Sequence, residues 1–75
     1  MNYTYRVCTD SVNDENGKTF LTFGIALFKG QKILKYFPSI SIHRERVLKL
    51  VDLCNRFDLN PIHIEDVIED FFFVP

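Results

Sequence analysis

Apolar and polar positions change their period about halfway along the chain. Residues 3–12 are rich in Tyr, Thr and Val, which suits a β-strand. The cluster Asn13-Asp14-Glu15-Asn16-Gly17 follows and predicts a turn, because Asn and Gly tolerate positive φ. Residues 19–28 predict a second strand with two apolar faces, Leu21, Phe23, Ile25 and Leu27 on one and Phe20, Ala26 and Phe28 on the other. A strand apolar on both sides belongs in the middle of a sheet. Lys29-Gly30-Gln31-Lys32 makes a tight connection, and residues 33–37 return as a third strand. Pro38 has no N–H to donate and is expected to end that pairing. A two- or four-residue loop places Leu34 and Tyr36 with Leu21, Phe23, Ile25 and Leu27. Phe20, Thr22, Gly24, Ala26 and Phe28 then share the other face with Ile33, Lys35 and Phe37. A three-residue loop with a bulge would exchange those faces, since a one-residue slip turns every side chain over.

Beyond residue 40 the period becomes helical. Val47, Leu50, Val51, Cys54 and Phe57 recur at i, i+3, i+4, i+7 and i+10, one stripe of an amphipathic helix. Glu45–Lys49 and Asp52–Arg56 are spaced i,i+4 in the favoured order. Ser39 or Ser41 is placed to cap the start. Asp58-Leu59-Asn60-Pro61 breaks the helix, and Asn60 can cap a second one with Pro61 at its first position. Ile64, Val67, Ile68 and Phe71 form its apolar stripe; Glu65, Asp66, Glu69 and Asp70 form the opposite face. The pattern predicts an α+β domain over residues 1–75: a three-stranded antiparallel meander followed by two helices on one sheet face, βββαα.

The chain has 75 residues and a formal net charge of −1, so one small domain without a strongly basic footprint is expected. No apolar run reaches the roughly 18 residues of a membrane span. The start, Met1 to Arg6, lacks the apolar stretch of a signal peptide, and two cysteines, Cys8 and Cys54, are few for a small secreted domain. The expectation is a cytoplasmic protein with reduced thiols and no membrane association.

The runs Phe23-Gly24-Ile25-Ala26-Leu27, Ile40-Ser41-Ile42, Leu50-Val51-Asp52-Leu53-Cys54-Asn55 and His63-Ile64-Glu65-Asp66-Val67-Ile68-Glu69-Asp70-Phe71 resemble a family of small bacterial proteins of unknown function. The likeness spans most of the chain from the second strand onward. It implies a small cytosolic bacterial protein and supplies no activity or site.

No chemistry stands out from the residues themselves. Zinc would need short-spaced ligand pairs, whereas Cys8, His43, Cys54 and His63 are scattered. A catalytic thiolate needs a depressed pKa and a nearby base. Cys54 lies on an apolar stripe, which predicts burial and a raised pKa, and Cys8, with Arg6 and Asp10 on its own face, is the more exposed thiol. The four acids of the second helix read as a hydrated face, not as a pair opposed across a cleft. No enzyme activity, metal or cofactor is expected.

Charge is segregated. Residues 29–49 hold six bases, Lys29, Lys32, Lys35, Arg44, Arg46 and Lys49, against Glu45, while residues 61–75 hold four acids and no Lys or Arg. The basic stretch is an alternative nucleic-acid contact, without any recognised motif beside it. The leading expectation is instead a protein-interaction module or homodimer, because eight Phe are many for so small a core. Phe23, Phe57 and Phe71 are placed in the core. Phe20, Phe28, Ile33 and Phe37 on the second sheet face, with Phe72 and Phe73 at the chain end, are the expected contact surface.

Overall fold

A computed structural model describes residues 3–73; Met1, Asn2, Val74 and Pro75 of the domain expected over 1–75 lie outside them. Three strands, β1 (Tyr3–Asn13), β2 (Thr19–Lys29) and β3 (Lys32–Ser41), form one antiparallel sheet in the order β1-β2-β3. Helix α1 (Arg44–Arg56) follows, then a 3₁₀ turn (Pro61–His63) that runs into α2 (Ile64–Phe72). The βββαα reading holds. Strand-forming residues alternate against turns in which Gly17 and Gly30 take positive φ, 79° and 62°.

The core lies between one sheet face and the helices. Tyr5, Phe23, Ile25 and Leu27 meet Val47, Leu50, Val51 and Cys54 of α1 and Ile64 and Ile68 of α2. The helical stripes thus pack as their spacing predicts, with one exception. Phe57 is 73 % exposed, outside the core in which it was expected. α1 ends one residue earlier, and Asp58 takes a left-handed φ of 50°. Asp58 N–H then donates to Asn55 O at 3.3 Å and Leu59 N–H to Cys54 O at 2.9 Å, the two bonds of a Schellman turn. That reversal swings Phe57 outward and brings Leu59 in against the core.

The start of α1 also differs from expectation. His43 is its N-cap residue and makes no side-chain cap; Ser41 Oγ accepts the N–H of His43 itself, and Ser39 bonds Thr22 instead. Asn60 behaves as predicted, accepting the N–H of Ile62 at 3.1 Å with Pro61 at the first position, although the turn it caps is 3₁₀ before it becomes α. Asp52 and Arg56 form the expected i,i+4 ion pair.

β3 departs most from the simple alternation. The hairpin loop is the two residues Gly30 and Gln31, yet the faces are exchanged. Phe28 pairs with Ile33 and Leu27 with Lys35, leaving Leu34 as an extra residue in β3. Lys35 and Phe37 therefore turn toward the helices and Tyr36 away from them, the reverse of the assignment from loop length. Nor does Pro38 end the strand. Ile25 pairs with Phe37 and Phe23 with Ser41, so β3 takes two extra residues around Pro38 and Ser39 and then resumes. Ser39 has a φ of 55°, and its hydroxyl shares a 2.9 Å hydrogen bond with that of Thr22. Opposite this bulge lies Gly24, where a Cβ would stand 2.1 Å from the Phe37 carbonyl oxygen and 2.9 Å from Pro38 Cα.

β1, an edge strand, is tied to α1 through Asn55. The side-chain amide of Asn55 accepts from Tyr5 N–H and donates to Tyr5 C=O, both at 2.8 Å, and Tyr5 Oη donates to Leu59 O at 2.7 Å. Asn55→Ala leaves both backbone groups of Tyr5 without these partners and is expected to cost about 1–3 kcal/mol. Urea unfolding measures this, and a variant as stable as the wild type would remove the fork from the account. Gly24→Ala must push the β3 backbone aside and should cost at least the roughly 1–3 kcal/mol typical of overpacking. A well-folded Gly24→Ala protein with an unchanged midpoint would contradict that close approach.

Candidate functional site

The sheet face away from the helices is finished by its own side chains. Cys8, Asp10, Thr22, Gly24, Ala26, Phe28, Ile33 and Tyr36 lie there by register. Thr22 and Ala26 are buried although no element lies over them. Tyr36, paired with Ala26, sends its phenol diagonally across β2 to Asp10, which is paired with Thr22, and Tyr36 Oη donates to Asp10 Oδ2 at 2.5 Å. This hydrogen bond to a carboxylate, followed by desolvation, pushes the Tyr36 pKa up to about 12. The Arg6 guanidinium stacks over Phe28 at 5.1 Å. Phe20 and Ile33 remain exposed at the two ends of this face.

The C-terminal phenylalanines divide. Phe71 and Phe72 are half-buried against the core, edge to face with ring centroids 5.0 Å apart. Arg46 of α1 stacks over both rings, and its Nη2 donates to Phe71 O at 3.2 Å, so a cation closes the carbonyl end of α2. Phe73, the C-cap residue, is 65 % exposed. It joins Phe37 and Ile68 in lining a groove of about 390 Å³ between β3 and α2, rimmed by Glu65 and Glu69. Of the six apolar contact residues expected from sequence, Phe37 and Phe73 meet here. Phe20, Phe28 and Ile33 lie on the other side of the sheet. Phe72 packs inward.

Sequence reasoning missed Ile68, Glu65 and Glu69 as parts of one surface with Phe37. The i,i+4 step from Glu65 to Glu69 was legible; their position beside β3 depends on the Leu34 bulge, which also delivers Lys35 to within 3.6 Å of Glu65. Both members of that ion pair are largely exposed, so it adds little stability.

The six basic residues do not gather into one patch. Lys29 and Lys32 pair at the hairpin tip, with Lys29 over the Tyr3 ring at 5.9 Å. Lys35 faces Glu65 and Arg46 holds Phe71 and Phe72, while Arg44 and Lys49 lie exposed on α1.

The thiols lie on opposite sides of the sheet, both free. Burial pushes Cys54 up to about 11, and burial followed by the Asp10 charge raises Cys8. Neither environment makes a thiolate nucleophile at neutral pH. Among the described residues no group of three His, Cys, Asp or Glu side chains is placed to hold a metal ion, and no helix is long and apolar enough to cross a membrane.

Tyr5 is raised to about 12, chiefly by burial, with smaller additions from Cys54, Asp58 and Tyr3. Cys54 and Tyr5 are both held protonated in the fold, above their ordinary values of 9.0 and 10.0. Their contribution is complete below about pH 9 and lost as the pH rises through 11 and 12, on the order of 2 kcal/mol for each. Denaturant midpoints should fall steeply between pH 9 and 12. Tyr5→Phe should flatten the upper part of that decline, and an unchanged alkaline limb would show that another group drives it.

Searches among curated proteins and among solved structures found no match. A family model does match, over residues 1–73, nearly the whole chain. It extends the likeness read from residues 23–71 to include β1. The chain belongs to DUF6514, a family of unknown function.

Proposed function

We propose that this protein is a non-catalytic interaction module. Its groove between β3 and α2 receives a partner segment that carries a bulky apolar side chain flanked by lysines or arginines. The observation that carries this reading is the composition of the groove. Phe37, Ile68 and Phe73 provide an apolar floor, and Glu65 and Glu69 provide a negative rim. Apolar anchors set affinity at such sites, while rim charges steer the encounter and select the partner. All four Asp and Glu residues of α2 lie exposed, so the approach to the groove is net negative although Lys35 pairs with Glu65. The two free thiols fit a reducing, cytoplasmic setting, and a bacterial one is what the likeness to small bacterial proteins implies. Nucleic-acid binding through Lys29, Lys32, Lys35, Arg44, Arg46 and Lys49 is less well supported, because three of the six, Lys29, Lys35 and Arg46, face protein groups.

Selection of peptides from a displayed random library tests the proposal. Enriched sequences should carry an aromatic or branched apolar residue between basic ones. Phe73→Ala, and separately Glu65→Lys with Glu69→Lys, should each weaken a selected peptide about tenfold or more. Failure to select any peptide, or peptides that bind these variants as well as the wild type, would remove the groove as the docking site.

A further inference from the structure

The two edges of the sheet are not equivalent. The β3 edge is interrupted by Leu34, by Pro38 and by the left-handed Ser39, devices that stop an edge from templating another strand. β1 has none of these. Its eleven residues, Tyr3–Asn13, pair with β2 in one unbroken register and include no Pro, Gly or Lys.

The outward main-chain groups of β1 can be located from Asn55. Tyr5 N–H and C=O point away from β2, because the Asn55 amide takes both. Antiparallel pairing alternates every second residue, so the N–H and C=O of Val7 and Thr9 also point outward. Among the described residues no side chain or loop bonds them. An open ladder therefore begins where the fork to α1 ends.

The side chains beside it are complementary to a copy of themselves. Arg6, Cys8 and Asp10 follow one another on the same sheet face. An antiparallel two-fold axis at Cys8 sets each Arg6 opposite Asp10 of the second copy. The same axis lets Val7 and Thr9 exchange their hydrogen bonds with Thr9 and Val7. Moving the axis to Thr9 would oppose Arg6 to Val12. Moving it to Val7 would oppose Arg6 to Cys8 and Asp10 to Thr4; about Cys8 the ladder ends where Ser11 meets Tyr5, whose backbone Asn55 already holds. We infer that β1 pairs with β1 of a second copy about Cys8, making a six-stranded sheet joined by four main-chain hydrogen bonds and two Arg6–Asp10 ion pairs. This surface is the sheet edge away from the β3–α2 groove, and self-pairing does not depend on anything binding there.

Sedimentation equilibrium at concentrations up to about 1 mM should detect a reversible dimer. Arg6→Asp and Asp10→Arg should each weaken it about tenfold by opposing like charges, and the Arg6→Asp/Asp10→Arg double variant should recover most of the loss. Circular dichroism checks that each variant remains folded, since Arg6 also stacks on Phe28 and Asp10 also holds Tyr36. Amide exchange in the wild type keeps the test open if a variant fails to fold: Val7 and Thr9 should gain protection as concentration rises. A strict monomer, a double variant no better than the single ones, or a dimer in which the Val7 and Thr9 amides stay unprotected would each overturn the inference.

Discussion

The sheet and the helical layer are joined at Tyr5. Its ring is buried in the core, its N–H and C=O are both held by the Asn55 amide, and its hydroxyl reaches Leu59 O. These bonds span 50 and 54 residues of sequence, so they hold an edge strand at one end of the chain against a helix end near the other. The turn that supplies Leu59 is the Schellman turn closing α1, and the adjacent Cys54 lies in the core. One helical terminus thus fixes the position of α1 over β1, the point where the chain leaves for α2, and the protonated state of two buried groups. In a domain with so little interior, satisfying an edge strand and a helix end together leaves few polar groups to be hydrated at the same junction.

Much of the fold was legible because it depends on local periodicity. The α1 stripe from Val47 to Cys54, the Asn60-Pro61 start, the acidic face of α2 and the meander order all follow from spacings of two, three and four residues. Phe57 was misplaced because helical periodicity carries no information on where the helix stops. Asp58 takes the left-handed position that Gly more often fills, so the stop left little trace in composition. β3 failed for a related reason. The tight connection at residues 29–32 was legible with its length open between two and four residues; the loop has two, and an extra residue at Leu34 reverses the side-chain parity that such a loop implies.

That reversal also governs what could be known of the surfaces. The surplus of phenylalanine was visible in composition, but its exposed members are not confined to the two expected surfaces: Phe20 lies on the open face, Phe73 at the groove, and Phe57 stands out from the end of α1. Phe37 left the open face for the groove beside Phe73, and the open face is narrowed by Tyr36 lying across β2 to Asp10. Neither the Tyr36–Asp10 contact nor the Arg46 contact with Phe71 and Phe72 has a short-range sequence signature. Each joins residues 25 or 26 positions apart across elements whose register must already be set.

The clamp by Arg46 has a thermodynamic consequence. α2 has nine residues, shorter than the roughly 12–15 at which even favourable helices become marginal in water. Its helicity comes from Ile64 and Ile68 in the core and from a guanidinium supplied by α1. The groove is therefore a property of an equilibrium between docked and undocked α2, not of the sheet alone. A ligand held there stabilises helix and groove together, and its apparent affinity is scaled by the fraction of chains in which α2 is docked. A change at Arg46 would then alter binding at Phe73 without touching the ligand.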